Sequence, residues 1–524
     1  MKHYEKLDYN PDNLAKALNN DFITKEKLTT DHFHFRYLLD YLGDKEPDAL
    51  AARTIIIEKN YVSRSYINDY SAFYSLCFND NYTRKSNRVH FFSNEFTNEE
   101  FELDILSEDN KVINNDTYLG YIVVKNLPSV IIGATLLRTY RNNSSRFYVT
   151  RNSSISLFGK QLNIDTLAFQ EQDKVVSACA TSALWMAFYK TSCYFQTHLP
   201  TPSEITSSAK NTFKFSGRTF PNKEGLDHSQ IGNAIENVGL EFELRNQKGL
   251  EDPQTVKSFV YSYCKLGLPV LLGIYIKGKG RHLITISGFR NEIKNENKWN
   301  KTNVSLVSYG INLFYAHDDR IGPYSRLKIH DKPREDGKIV ETAWWIDKTG
   351  SKKYQAKVTS IIVPIYKKIR ISFEDIFNEV RHFDYLFKSK LGKRFNITWD
   401  IYLNSSNDYK KEILDNEDLD GDFKKKLVFV QLPKFIWISR LIIDDATVFE
   451  MIHDSTDIPS GHFCQMLNCY DAGFLLTINN ELQNNDFRNH ILSELNISYL
   501  TLLEGLGEDA PASYYKPIDY LTNP

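Results

Sequence analysis

This chain has few cysteines, few methionines and almost no net charge. Its six cysteines, Cys77, Cys179, Cys193, Cys264, Cys464 and Cys469, are scattered over 524 residues. None of the spacings suits a zinc site, and Cys464 and Cys469 do not form a CxxC pair. Reduced thiols in the cytoplasm are the expectation, with no metal and no cofactor. A formal net charge of −2 removes any global electrostatic argument for binding nucleic acid. Long apolar runs are missing too. The stretch from Val130 to Leu137 stops far short of a bilayer span. The opening residues, Met1 to Asn10, have no apolar core and do not read as a secretory signal. These absences exclude nucleic acid and membrane as expected partners. What is plentiful is aromatic residues, 31 Tyr and 33 Phe against 4 Met, as suits a well-packed globular interior.

The length calls for two or three domains. Three regions are read, at 1–150, 151–365 and 366–524. The first opens with helical spacing over Asp31–Leu42. Strand-like runs follow at Thr54–Glu58, Arg88–Phe92 and Tyr118–Val124, which predicts a mixed α/β domain with a small sheet. In the third region, Phe373–Phe387 has helical periodicity behind an N-cap at Ser372. Lys426–Gln431, Trp437–Ile443 and Val448–His453 read as strands, and 404–426 as a surface loop-and-helix excursion.

Chemistry concentrates in the middle. Gln170-Glu-Gln-Asp-Lys-Val-Val-Ser-Ala-Cys179 runs into the apolar helix-forming stretch Ala180–Phe188. A cysteine at a helix N-terminus meets unpaired N–H groups and the positive end of the dipole, which favour thiolate over thiol. His282 opens the strand pattern Gly280–Phe289, and a second strand pattern delivers Asp318 and Asp319. In these positions Cys179 would be the nucleophile and His282 the base and then the acid. Asp318 would orient the imidazole, with Asp319 the competitor, since strand alternation puts the two on opposite faces. Gln172, with Gln170 as competitor, would donate to the oxyanion beside the N–H of Cys179.

The order Gln, Cys, His, Asp resembles the papain-like cysteine peptidases, and most nearly the bacterial C39-like branch typified by bacteriocin-leader peptidases. Gly225–Gly239 is similar to that branch's helix between nucleophile and histidine, and Gly267-Leu-Pro-Val-Leu-Leu-Gly273 to its G-x-P-V strand. The resemblance covers about 150–365. It implies an α+β chain in which a papain-like domain sits between N- and C-terminal mixed α/β accessory domains. It also implies a thiol peptidase cutting peptide or isopeptide bonds in a protein, with no cofactor. The chain departs from the pattern in three places. Ala180 replaces the glycine after the cysteine, a polar insertion (Asn291–Lys301) lengthens the gap from His282 to Asp318, and Asp318-Asp319 replaces Asp-Pro.

Flanking domains in a chain without a membrane segment suit regulated proteolysis, as in a bacterial effector or defence protease, with a protein partner on the accessory domains. Two other readings stand beside it: a silent papain-like binding module, favoured by Ala180 and the insertion, and a transglutaminase or acyltransferase using the same three side chains. Weaker features read as structural. Cys193 is expected in the core, His317 at a solvent-facing rim, and Lys277–Arg281 as a turn beside His282. His32 with His34, and the acidic run Asp415–Asp422, are not read as metal sites.

Overall fold

The computed structural model describes residues 3–78, 82–107, 111–141, 145–173, 179–209, 225–246, 248–292, 303–346, 353–391, 395–419, 421–459, 463–495 and 497–506. The segment just before Cys179, most of the insertion at 291–301 and the tail from 507 lie outside the described residues. The fold is mixed α+β, built on antiparallel sheets. It forms two compact units. One comprises 1–253, 267–290 and 312–366; the other comprises 254–266, 291–311 and 367–524. Three consecutive regions are read from sequence, whereas these units interleave along the chain.

The first unit opens with a five-stranded meander: β1 (Tyr4–Asp8), β2 (Thr54–Tyr61), β3 (Ser86–Phe92), β4 (Tyr118–Val124) and β5 (Ile132–Leu137), in that order. The three strand-like runs of the N-terminal region are its central strands. The helix expected over 31–42 forms as Phe33–Leu42 and buries Phe35, Leu38, Tyr41 and Leu42 along one stripe. Next come β6 (Arg146–Tyr148) and a hairpin of β7 (Arg151–Leu157) and β8 (Lys160–Thr166). The hairpin's inward residues alternate with outward ones. Its two-residue turn, Phe158-Gly159, has positive φ at both positions, as a primed turn needs.

The strands that carry the chemistry are β9 (Glu241–Asn246), β10 (Val270–Ile276), β11 (Gly280–Asn291), β12 (Ile311–Asp318), β13 (Gly322–Arg334), β14 (Lys338–Ile346) and β15 (Lys353–Ile365). From β10 to β15 each pairs with the next, and β15 pairs back with β10, which closes a six-stranded barrel. β9 adds to the outside of β15, and β6 to β11. Every residue of β10 except Tyr275 is buried, so its Val, Leu and Ile side chains drive the closure. Two glycines allow neighbouring strands to approach closely. A Cβ on Gly273 would lie 2.2 Å from Ser360 Oγ on β15, and one on Gly288 2.2 Å from the Phe147 carbonyl on β6. Of the expected turn Lys277–Arg281, residues Lys277–Lys279 join β10 to β11, while Gly280 and Arg281 already pair with Ile276 and Tyr275 as the start of β11.

The second unit is built on the sheet β16 (Ile397–Ser405), β17 (Phe435–Ile443), β18 (Ala446–Asp454) and β19 (Cys464–Cys469). Ser372 caps the helix Phe373–Leu391 in a reciprocal arrangement with Asp375, as its sequence anticipates. The strand expected at 426–431 is not there. Lys426–Phe429 closes the helix Gly421–Phe429, because Phe423 and Leu427, four apart, are the residues that find the core. Fully buried Glu450 accepts hydrogen bonds from Tyr409, Tyr470 and Asn468 at 2.8, 2.9 and 2.9 Å, and pairs with Arg440 at 2.7 Å. Burial alone would raise its carboxyl, but Arg440 and these donors outweigh that and hold it below its ordinary value. Arg440→Leu leaves this charge uncompensated and should cost this unit about 3–5 kcal/mol in denaturant unfolding of the full chain. Adding Glu450→Gln should recover part of the loss.

Candidate active site

Cys179 is the first residue of the helix Cys179–Phe195 and is half-buried. It opens onto a cleft of about 380 Å³ whose walls include Ala180, His228, Gly273, Arg281, His282 and Ser360. Thr285 Oγ1, three residues after His282 on β11, donates to the Ala183 carbonyl of the Cys179 helix at 3.0 Å. This bond fixes the strand bearing the histidine against the helix bearing the thiol. The helix expected between them forms as His228–Asn237, capped by Asp227 and Gln230, and its start lines the same cleft.

His282 is buried, and Nε2 contacts two carboxylates: Asp318 Oδ1 at 2.9 Å and Asp319 Oδ1 at 3.2 Å. Asp318 is itself held, by Trp345 Nε1 at Oδ2 (3.0 Å) and by the Arg320 N–H at Oδ1 (3.0 Å). The other ring nitrogen, Nδ1, has no partner of hydrogen-bond geometry, although the Cys179 thiol is near enough to act on the imidazole. Burial would depress the His282 pKa. Asp318 and then Asp319 outweigh it and push it up to about 10, so the site favours the charged ring. His282 holds Asp318 below the usual carboxylate range, while burial raises Asp319 above it.

These values set a direction for stability. The folded state favours the charged imidazole, so the stability it lends is full below its ordinary value of 6.5 and is lost as pH rises through about 10. The melting temperature should therefore fall across that window, and His282→Gln should flatten the slope.

The sequence expectation that only one aspartate can face His282 is corrected here. Strand alternation stops applying because β12 ends at Asp318, with a register shift against β13 between Ala316 and Asp318. Asp319 therefore turns to the same imidazole. His317 is not at a rim. It is fully buried between Phe169 and Tyr324, with ring centroids 5.8 and 4.5 Å away, and burial pushes its pKa down to about 3. Cys193 is likewise corrected: it lies on the exposed face near its helix end, while Ser192 and Phe195 are buried.

Of the two glutamines, Gln172 touches the machinery. In the amide orientation that satisfies both ends, its nitrogen donates to Asp319 Oδ2 (3.0 Å) and its oxygen accepts from the Cys179 N–H (3.3 Å). Gln170 is buried. His34, also buried, has Nε2 2.9 Å from the Asp319 carbonyl oxygen and so backs the loop from behind. Trp345 and His34 carry no signal in sequence, since neither the Trp344-Trp345 pair nor His32 with His34 forms a recognisable motif.

His282, Asp318 and Asp319 present three ligand atoms within 4.8 Å of one another, the one such metal-capable set among the described residues. A metal there would displace the proton that joins Nε2 to Asp318. In the second unit a Ser–His–Glu line also occurs, with Ser439 Oγ to His453 Nε2 at 3.2 Å and His453 Nδ1 to Glu379 Oε2 at 3.1 Å. Ser439 and His453 are both fully buried, so that hydroxyl meets no substrate. Among the described residues no helix is long and apolar enough to cross a membrane. Comparison with protein-family models, with curated proteins and with solved structures finds no match for this chain.

Proposed function

We propose that the first unit is a cytoplasmic thiol acyl-transfer enzyme of papain-like design, acting as a protease on peptide or isopeptide bonds. The observation that carries this reading is the bipolar setting of His282. Nε2 is anchored to Asp318, and Nδ1 is left unpartnered beside a half-exposed thiol at a helix start. His282 Nδ1 takes the Cys179 thiol proton, the sulfur attacks the carbonyl carbon, and the carbonyl π pair moves to oxygen. Collapse expels the amine, which takes the His282 proton, and leaves a thioester. Water then gives a proton to His282 and attacks the thioester, which releases the acid and the thiolate. Asp318 keeps the ring oriented and stabilises its charge. Regulated action as a bacterial effector or defence protease, with a protein partner on the flanking domains, belongs to the same proposal.

Gln172 enters this scheme as an oxyanion donor only after letting go of Asp319. At rest its N–H and that of Cys179 are both engaged. That observation favours the second reading, a silent papain-like binding module. The test is digestion of a denatured-protein peptide library, read by mass spectrometry of new termini, with a labelled amine present. The native chain should produce new termini and Cys179→Ala none. Identical products from both would sink the enzymatic reading, and amine incorporation would mark a transglutaminase instead. On any substrate found, Gln172→Ala should lower kcat about a hundredfold with little change in KM.

A further inference from the structure

A second cavity, of about 460 Å³, shares no lining residue with the Cys179 cleft. Among the described residues its walls carry Arg141, Arg146, Arg290 and Arg326 against two carboxylates, Glu46 and Asp48. The sheet itself brings the charges together. Arg146 on β6 stands directly opposite Arg290 on β11, and Arg326 on β13 opposite Tyr315 on β12. Like charges placed across paired strands are destabilising unless an anion lies between them. Asp48 supplies part of that, taking Arg146 at 2.6 Å and Arg326 at 2.5 Å, while Glu46 stays 3.9 Å from Arg326. Arg290 donates Nε to the neutral Asn312 side chain at 3.1 Å, and Arg141 is exposed at the mouth.

Two buried donors on this wall are unsatisfied. The Arg146 side chain is 9% exposed, yet its Nε–H makes no hydrogen bond of proper geometry, although the Tyr148 hydroxyl lies near the guanidinium. Tyr315 is fully buried, and its hydroxyl makes no hydrogen bond of proper geometry, although Tyr148 lies near enough to perturb it. Buried donors without acceptors, inside a ring of guanidiniums, mark a place built for an anion.

We propose that this cavity binds a small phosphorylated molecule carrying at least two negative charges, of nucleotide size or below. The forked guanidiniums match phosphate oxygens, and the volume lies in the range of small-molecule sites. The proposal is independent of the cysteine chemistry.

Calorimetric titration of the full chain with inorganic pyrophosphate, and separately with a nucleoside diphosphate, tests it. One-to-one binding at roughly 10–100 µM is expected for at least one of the two. Arg141→Ala combined with Arg290→Gln should weaken it at least about tenfold, since each removes a charge-assisted contact outside the Asp48 bridges. Cys179→Ala should bind like the native chain. If the double variant melts early, Arg141→Ala alone, at an exposed position, carries the comparison and should still weaken binding. No saturable binding of either probe below about 1 mM overturns the proposal, as does native affinity in the arginine variants.

Discussion

Cys179→Ala should abolish turnover, a loss of about 10⁴-fold or more, and leave the fold intact. The thiol is half-exposed on a cleft, so its removal opens no core cavity. Reactivity reads the same property without a substrate. Cys77 and Cys193 are exposed, whereas Cys264, Cys464 and Cys469 are buried, and burial pushes these three thiols up. Iodoacetamide should therefore meet three accessible thiols. Of these three, Cys179 is the one with a histidine ring beside it among the described residues. It should be alkylated roughly ten to a hundred times faster than the other two, and His282→Gln should bring it down to their rate. Equal rates at all three in the native chain would leave no nucleophile.

Asp318→Asn should reduce kcat by on the order of 10³–10⁴-fold. The carboxamide keeps the shape but cannot balance an imidazolium. Trp345 and the Arg320 N–H already donate to Asp318, so the new amide nitrogen would meet donors on either oxygen site. His282 would lose its strongest favourable charge, and its pKa should fall toward the ordinary range. An imidazole NMR titration beside the pH–rate profile checks both effects. Asp319→Asn, which removes the weaker of the two attractions, should shift the titration less. A larger shift for Asp319→Asn would reverse the assignment of orienter.

Much of this site is legible in sequence because its parts are local signals. A cysteine before a run of small and apolar residues marks a helix start, and a β-branched run ending in Gly288 marks the strand of His282. Gly288 is legible for a stated reason, the 2.2 Å approach of the Phe147 carbonyl. What escaped depends on long-range pairing. Closure of the barrel joins Leu271 to Ile362, some ninety residues on, and no local pattern announces it. Asp319 escaped because alternation holds only inside a strand and β12 has just ended. The segment at 426–429 escaped because a short run of Lys, Leu, Val and Phe satisfies both periods, and burial of Phe423 and Leu427 decides between them. The interleaving of the units was hidden too: Trp399 takes a backbone bond from its amide to the Ser305 carbonyl, 2.8 Å away, within a unit assembled from three stretches of chain.

Asp319 reaches the imidazole with one oxygen and the Gln172 carboxamide with the other. Under the proposed mechanism, the proton-carrying half of the site and the half that would receive negative charge thus share a single hinge pin. Any engineering that retunes one half will detune the other, so new acyl chemistry on this scaffold has to begin by finding a substitute for that one side chain.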